Sequence, residues 1–189
     1  MKILITGCAG FIGFSVAKFL LQKNFQIIGI DNINNYYSKN LKSSRLKELK
    51  KNKKFKFYKI DCSSYKLINN LRNEKSINLI IHLAAEVGVR NSYLKPKIYY
   101  ENNIKSFFNI LEICKQKKSN LIFASSSSVY GESNKKFFSE IDDTSSPISF
   151  YAATKKCNEV MAHAYSKAYN FSAVGIRFFN VYGPWGRPD

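Results

Sequence analysis

The chain has 189 residues, 45% of them hydrophobic, which is enough for one sizeable core and makes a single domain the default. Its apolar stretches, such as residues 25–30 and 78–81, fall far short of the ~18 to 20 residues of a membrane helix, so the sequence predicts no bilayer span and no membrane partner. The net charge of +17 comes from 30 basic residues, but 25 of these are lysines scattered along the chain around one dense cluster at 47–56, the pattern of a solvated surface and not of a nucleic-acid face.

In chain order, residues 2–6 read as a buried strand. The Thr6-Gly7-Cys8 that follows imitates a lipoprotein signal, yet the apolar stretch before Cys8 is shorter than the roughly 7 to 15 residues such a signal needs. The protein is therefore expected in the cytoplasm. Residues 11–23 carry apolar side chains at helical spacing, 25–31 is the next strand, and a helix at about 40–51 leads to a strand at 55–60. Helices at 64–73, 98–117 and 150–169 then alternate with strands at 79–83, 121–125 and 172–178. Short strands separated by helix-length crossovers call for a parallel sheet, so the predicted fold is doubly wound α/β with helices on both faces. Residues 1–180 read as one dinucleotide-binding domain. The turn-rich 181–189 reads as the start of a connection to a substrate domain that this chain lacks. Cys8, Cys62, Cys114 and Cys157 have no C-x-x-C spacing, and only His82 and His163 could join them, so neither a metal site nor a disulfide framework is expected.

Gly7, Gly10 and Gly13 fall between the first strand and the first helix. Without Cβ atoms the backbone there can turn tightly and approach a pyrophosphate, whose charge then meets the helix N-terminal N–H groups. Asp31 closes the second strand 18 residues after Gly13, where a carboxylate can accept from adenosine ribose hydroxyls and repel a 2′-phosphate. NAD is thus favoured over NADP. Tight helix packing alone would also use such glycines, but strand, loop, helix and acid are all in register. The glycine spacing resembles that of the short-chain dehydrogenase/reductase superfamily. By that resemblance Asp61 and Cys62 flank the adenine, and Leu83, Ala84 and Ala85 line the cofactor; His82 is read as a satisfied core histidine.

Tyr151 and Lys155 lie one helical turn apart on one face. An ammonium beside a phenol favours the phenolate, so a tyrosine that titrates near ~10 in water becomes an acid–base group usable near neutral pH. Lys155 would also hold the nicotinamide ribose. The fifth strand ends in Ser125, Ser126, Ser127 and Ser128, at the sheet edge where open α/β folds bind ligands. No histidine base sits at a recognisable elbow, so a serine nucleophile is discounted.

The runs G-C-A-G-F-I-G-F, D-N-I-N-N-Y-Y, H-L-A-A-E-V-G-V-R, A-S-S-S-S-V-Y-G, Y-A-A-T-K-K and R-F-F-N-V-Y-G-P-W-G-R-P-D resemble those of extended short-chain dehydrogenases/reductases of the UDP-glucuronate 4-epimerase family. The resemblance covers the whole chain. It implies NAD-dependent inversion at sugar C4 through a 4-keto intermediate, with a UDP-sugar as substrate. Tyr151, Lys155 and Ser126 are the implied catalytic residues. Phe11, Ile12, Asn32, Asn102 and Phe178 join the cofactor set, while Val87, Arg90, Ser126, Ser127, Ser128, Tyr151, Asn180 and Arg187 form the implied substrate set. Helices 98–117 and 150–169 resemble those that pair into a four-helix homodimer interface. Glu86 and Asn180 depart from the family's usual amide and threonine.

Related 4,6-dehydratases use an Asp-Glu pair just before V-Y-G, and glucuronate decarboxylases a glutamate; here Ser127 and Ser128 stand there. Neutral hydroxyls suit an enzyme that must restrain, and not expel, the carboxylate of a β-keto acid. A UDP-glucose/galactose 4-epimerase, a decarboxylase and a non-catalytic NAD-binding module are the alternatives.

Overall fold

A computed structural model describes residues 1–71, 73–132 and 136–186 of the chain. Six parallel strands, β1 (Lys2–Thr6), β2 (Gln26–Asp31), β3 (Phe55–Lys59), β4 (Leu79–His82), β5 (Asn120–Ser126) and β6 (Ala173–Phe178), form one sheet in the order β3-β2-β1-β4-β5-β6. The order reverses between β1 and β4, so the connections leaving their carboxyl ends diverge and open a crevice there.

Helices α1 (Phe11–Gln22) and α2 (Lys39–Lys50) cover one face, and α3 (Lys66–Leu71), α6 (Ser106–Lys117) and α7 (Phe150–Tyr169) the other. Alternation along the strands divides the core accordingly. Ile3, Ile5, Ile27 and Ile81 pack with Phe14, Ala17 and Leu21 of α1 and Leu46 and Leu49 of α2. Leu4, Ile28, Ile80, Leu121 and Phe123 pack with Leu67 of α3, Phe107, Ile110 and Leu111 of α6, and Ala162 of α7. The cover is uneven. The row Ile5, Ile81, Ile122, Val174 crosses four strands in register, buried under α1 at Ile5 but bare at Val174, which is exposed.

The helix read over 98–117 is three pieces: α5 (Pro96–Tyr99), a π-helical turn (Tyr100–Lys105) and α6. The wider turn accompanies the inward pull of Asn103, whose side chain is hydrogen-bonded outside its own helix. A short α4 (Val89–Leu94) precedes it, started by Gly88 at φ +98°; its six residues are too few to show helical periodicity. Among the described residues no helix is long and apolar enough to cross a membrane, and no group of three or more His, Cys, Asp or Glu could hold a metal ion. All four cysteines are free thiols.

Candidate active site

The glycine loop shows why alanine would not serve. Gly7 has φ +70°, and a Cβ there would stand 2.8 Å from the Ala84 nitrogen of the neighbouring β4 loop; one on Gly13 would overlap the Gly7 carbonyl. Helix α1 starts at Gly10 with no side-chain cap and no acidic residue in its first turn. Among the described residues no side chain caps its leading N–H groups, which border the crevice at Gly10, Phe11, Ile12 and Gly13. The Asp31 carboxylate accepts from Ala9 N–H at 3.0 Å and Ile33 N–H at 2.8 Å, bracing the loop while lone pairs remain for a ligand. Asp61 accepts from the Asn32 side chain at 2.8 Å and from Ser63, which holds its carboxyl below the usual carboxylate range despite burial.

Beyond β4, Thr6 fixes the chain. Its hydroxyl oxygen accepts from the Leu83 and Ala84 N–H groups, both at 3.1 Å, which leaves its proton to donate to His82 Nδ1 at 2.8 Å. Burial lowers the His82 pKa to about 3, the nearby Lys155 ammonium acting in the same direction. His82 is thus a neutral core residue packed on Phe107.

Ser149 caps α7 by accepting from Ala152 N–H at 3.1 Å, setting Tyr151 and Lys155 on the inner face of its first turns. Lys155 is buried and donates to the Ala124 carbonyl at 3.0 Å, with its ammonium 5.9 Å from the Tyr151 ring centre. Burial lowers its pKa to about 8, so the ammonium form prevails at neutral pH. Tyr99 packs edge-on to the Tyr151 ring at 6.2 Å and directs its hydroxyl to the Val87 and Gly88 carbonyls. Asn103 accepts from Glu86 N–H at 2.8 Å and donates to the Glu86 carbonyl and the Thr154 hydroxyl, tying the β4 loop to α7 beside Lys155.

These groups surround a cleft of about 670 Å³. Every residue expected to hold the cofactor lines it: Gly7, Gly10, Phe11, Ile12, Gly13, Asp31, Asn32, Asp61, Cys62, Leu83, Ala84, Ala85, Asn102, Tyr151, Lys155 and Phe178. Of the expected substrate set, Val87, Ser126, Tyr151 and Asn180 line it too. Ser127 and Ser128 do not, because β5 ends at Ser126 and a 3₁₀ turn at once carries them aside, with Ser128 N–H donating to the Ser126 hydroxyl at 3.2 Å. Arg90 is exposed on α4 away from the cleft, and Arg187 lies outside the described residues.

Sequence reasoning did not single out Asn34, Tyr36, Lys42 or Ser106, which line the cleft. Nor did it assign Glu86 a place there: its half-buried carboxyl is pushed up by burial and accepts from Asn102 Nδ2 at 3.2 Å. The doubled asparagine at 102–103 was the available signal for Asn103. Residues 181–183 and 186 also line the cleft, and Trp185 packs on Phe14 of α1 at 5.2 Å.

A parallel sheet in this strand order, with a glycine loop feeding α1 and an acid closing β2, is a Rossmann-type dinucleotide-binding fold. The chain matches the family described as GDP-mannose 4,6 dehydratase over residues 4–188 and belongs to that family. It is 50% identical over 190 residues to Protein CapI of Staphylococcus aureus, covering 100% of this chain and 57% of that protein. UDP-glucuronate 4-epimerase 4 of Arabidopsis thaliana is 44% identical across 100% of this chain and 44% of its own length. The crystal structure of UDP-glucuronic acid 4-epimerase from Bacillus cereus in complex with UDP-glucuronic acid and NAD superposes with a TM-score of 0.91 at 38% identity, over 100% of this chain and 60% of that one. The chain thus spans about half the length of these relatives.

Proposed function

We propose that this chain is the cofactor-binding and catalytic part of an NAD-dependent UDP-sugar 4-epimerase, an isomerase, and that its substrate is UDP-glucuronate, converted to UDP-galacturonate for polysaccharide biosynthesis. The observation that carries the reading is the cleft itself, in which an uncapped helix N-terminus, Asp31 and the Tyr151–Lys155 pair converge. The Arabidopsis thaliana and Bacillus cereus relatives named above bear that activity in their names and support the choice of sugar. In this reading residues 1–180 are the dinucleotide-binding domain, and 181–189 begin the connection to a substrate domain such as the longer relatives have room for. The four free thiols fit the cytoplasm. Exposed Phe108 on α6 and Val160 on α7 fit a homodimer formed through those helices.

The residues fit NAD. The first-turn N–H groups of α1 would take its diphosphate, Asp31 the adenosine ribose, and the remaining N–H bonds of Lys155 the nicotinamide ribose. When bound, NAD supplies a reversible hydride acceptor for the sugar C4. Tyr151 takes the proton of the C4 hydroxyl and later returns it to the 4-keto oxygen, and the Lys155 ammonium favours the phenolate that does so. Ser126, facing the cleft, donates to the same oxygen. In sequence, Ser127 and Ser128 stand where a dehydratase or decarboxylase would carry carboxylates, so those two positions supply no acid to remove a C5 proton or to promote loss of the substrate carboxylate.

The test is product analysis by NMR, with UDP-glucuronate and the chain joined to the C-terminal portion of a longer relative. UDP-galacturonate should form, and Tyr151→Phe should lower kcat by roughly 10² to 10⁴. A UDP-pentose product would make it a decarboxylase, and activity confined to uncharged UDP-hexoses a galactose-type epimerase.

A further inference from the structure

Arg45 of α2 is 0% exposed, so it cannot touch a ligand, yet it joins the two sides of the cleft. One terminal nitrogen donates to the Ala9 carbonyl of the glycine loop at 3.0 Å and to the Tyr37 hydroxyl. The other donates to the carbonyls of Trp185 and Gly186. Ala9 is therefore gripped from both sides, its N–H by Asp31 and its carbonyl by Arg45. The segment reached through Trp185 is the one whose residues 178–183 and 186 form the far wall of the cleft.

Among the described residues no carboxylate pairs with this guanidinium, and its Nε is buried without a partner. A buried cation held only by carbonyl dipoles and a phenol is incompletely compensated. A dinucleotide diphosphate at the start of α1, beside Ala9, would bring the missing negative charge. We propose that Arg45 is a positioning residue that couples the glycine loop to the 178–186 segment, so that cofactor binding and docking of the substrate-side wall are one linked event. The planar fork is what allows it, since two carbonyls from different segments need two divergent donors on one rigid group. The coupling is reciprocal: whatever stabilises the wall tightens the cofactor, and the reverse. The inference rests on the NAD reading of the cleft.

Trp185 is the only tryptophan of the chain, so its fluorescence reports the wall directly. The experiment measures the NAD⁺ dissociation constant and acrylamide quenching of Trp185 in the wild type, Arg45→Met and Arg45→Lys. In the wild type NAD⁺ should lower the quenching constant clearly. In Arg45→Met the dissociation constant should rise by about fivefold or more, the lower end of ordinary coupling, with quenching high and indifferent to NAD⁺. Arg45→Lys keeps the charge but not the fork, so it should bind NAD⁺ more tightly than Arg45→Met while its Trp185 quenching no longer responds; this variant decides the matter if the methionine variant fails to fold. Wild-type binding without a change at Trp185, or a response kept in Arg45→Lys, overturns the coupling alone. A wild type that does not bind NAD⁺ overturns the cofactor reading and the coupling with it.

Discussion

Asp31 has two duties that a titration can separate. Its oxygens brace Ala9 and Ile33, and its charge stands where an adenosine ribose would lie. A 2′-phosphate placed against it would meet like charge, and near a protein surface one such contact exceeds about 1.4 kcal/mol, so NADP⁺ should bind at least about tenfold more weakly than NAD⁺. Equal or tighter NADP⁺ binding by isothermal titration would remove Asp31 from the ribose. Lys155 makes a second prediction through its pKa of about 8 against an ordinary 10.5, a shift caused by burial. The unfolded chain holds that proton more tightly than the folded one, so folding carries a penalty below pH 8, and stability rises as the pH climbs from 8 towards 10.5. Lys155→Met should relieve up to about 3 kcal/mol of that penalty, raising Tm at pH 7 and flattening the rise above pH 8, while NAD⁺ binding weakens. A lower Tm at pH 7 would mean that the ammonium is better compensated than its single carbonyl partner suggests.

Among the elements, the β1–α1 junction is the most constrained. Adding one methyl at Gly13 would drive it into the Gly7 carbonyl, where backbone and not a flexible side chain must yield. Gly13→Ala should therefore cost about 3 kcal/mol, at the upper end for overpacking, and abolish NAD⁺ binding; an unshifted denaturation midpoint would contradict the packing described. Constraints of this local kind are what the sequence displays. The glycine spacing, the acid at the end of β2 and the Tyr151–Lys155 turn each follow from one backbone geometry, and the six strands were legible from their apolar runs. The π-helical turn was not, because Asn103 leaves the helical pattern only to satisfy Glu86 and Thr154, which are distant in sequence. Lys42 and Arg45 were not, because on a lysine-rich helix an inward cation has the same spelling as a solvated one. The placement of Ser127 and Ser128 was not legible for a third reason: the strand ends one residue later than expected, and a 3₁₀ turn then carries both off the cleft lining.

At the scale of the whole molecule, the parallel sheet brings residues 7–13, 31, 83–87, 126 and 151–155 to one edge, and α2 with the 178–186 segment closes the cleft around them. The opposite side of β5 and β6, where Val174 and Ile176 are exposed, is apolar surface that the helices of this chain leave bare. In the proposed reaction the bound cofactor takes hydride from sugar C4 and gives it back to the same carbon. The most direct measurement follows UDP-glucuronate deuterated at C4 through one round of reaction, with the chain joined to the C-terminal portion of a longer relative in ordinary water. The expected product is UDP-galacturonate with its deuterium still on C4. Deuterium lost to solvent, or product inverted elsewhere than at C4, would contradict it.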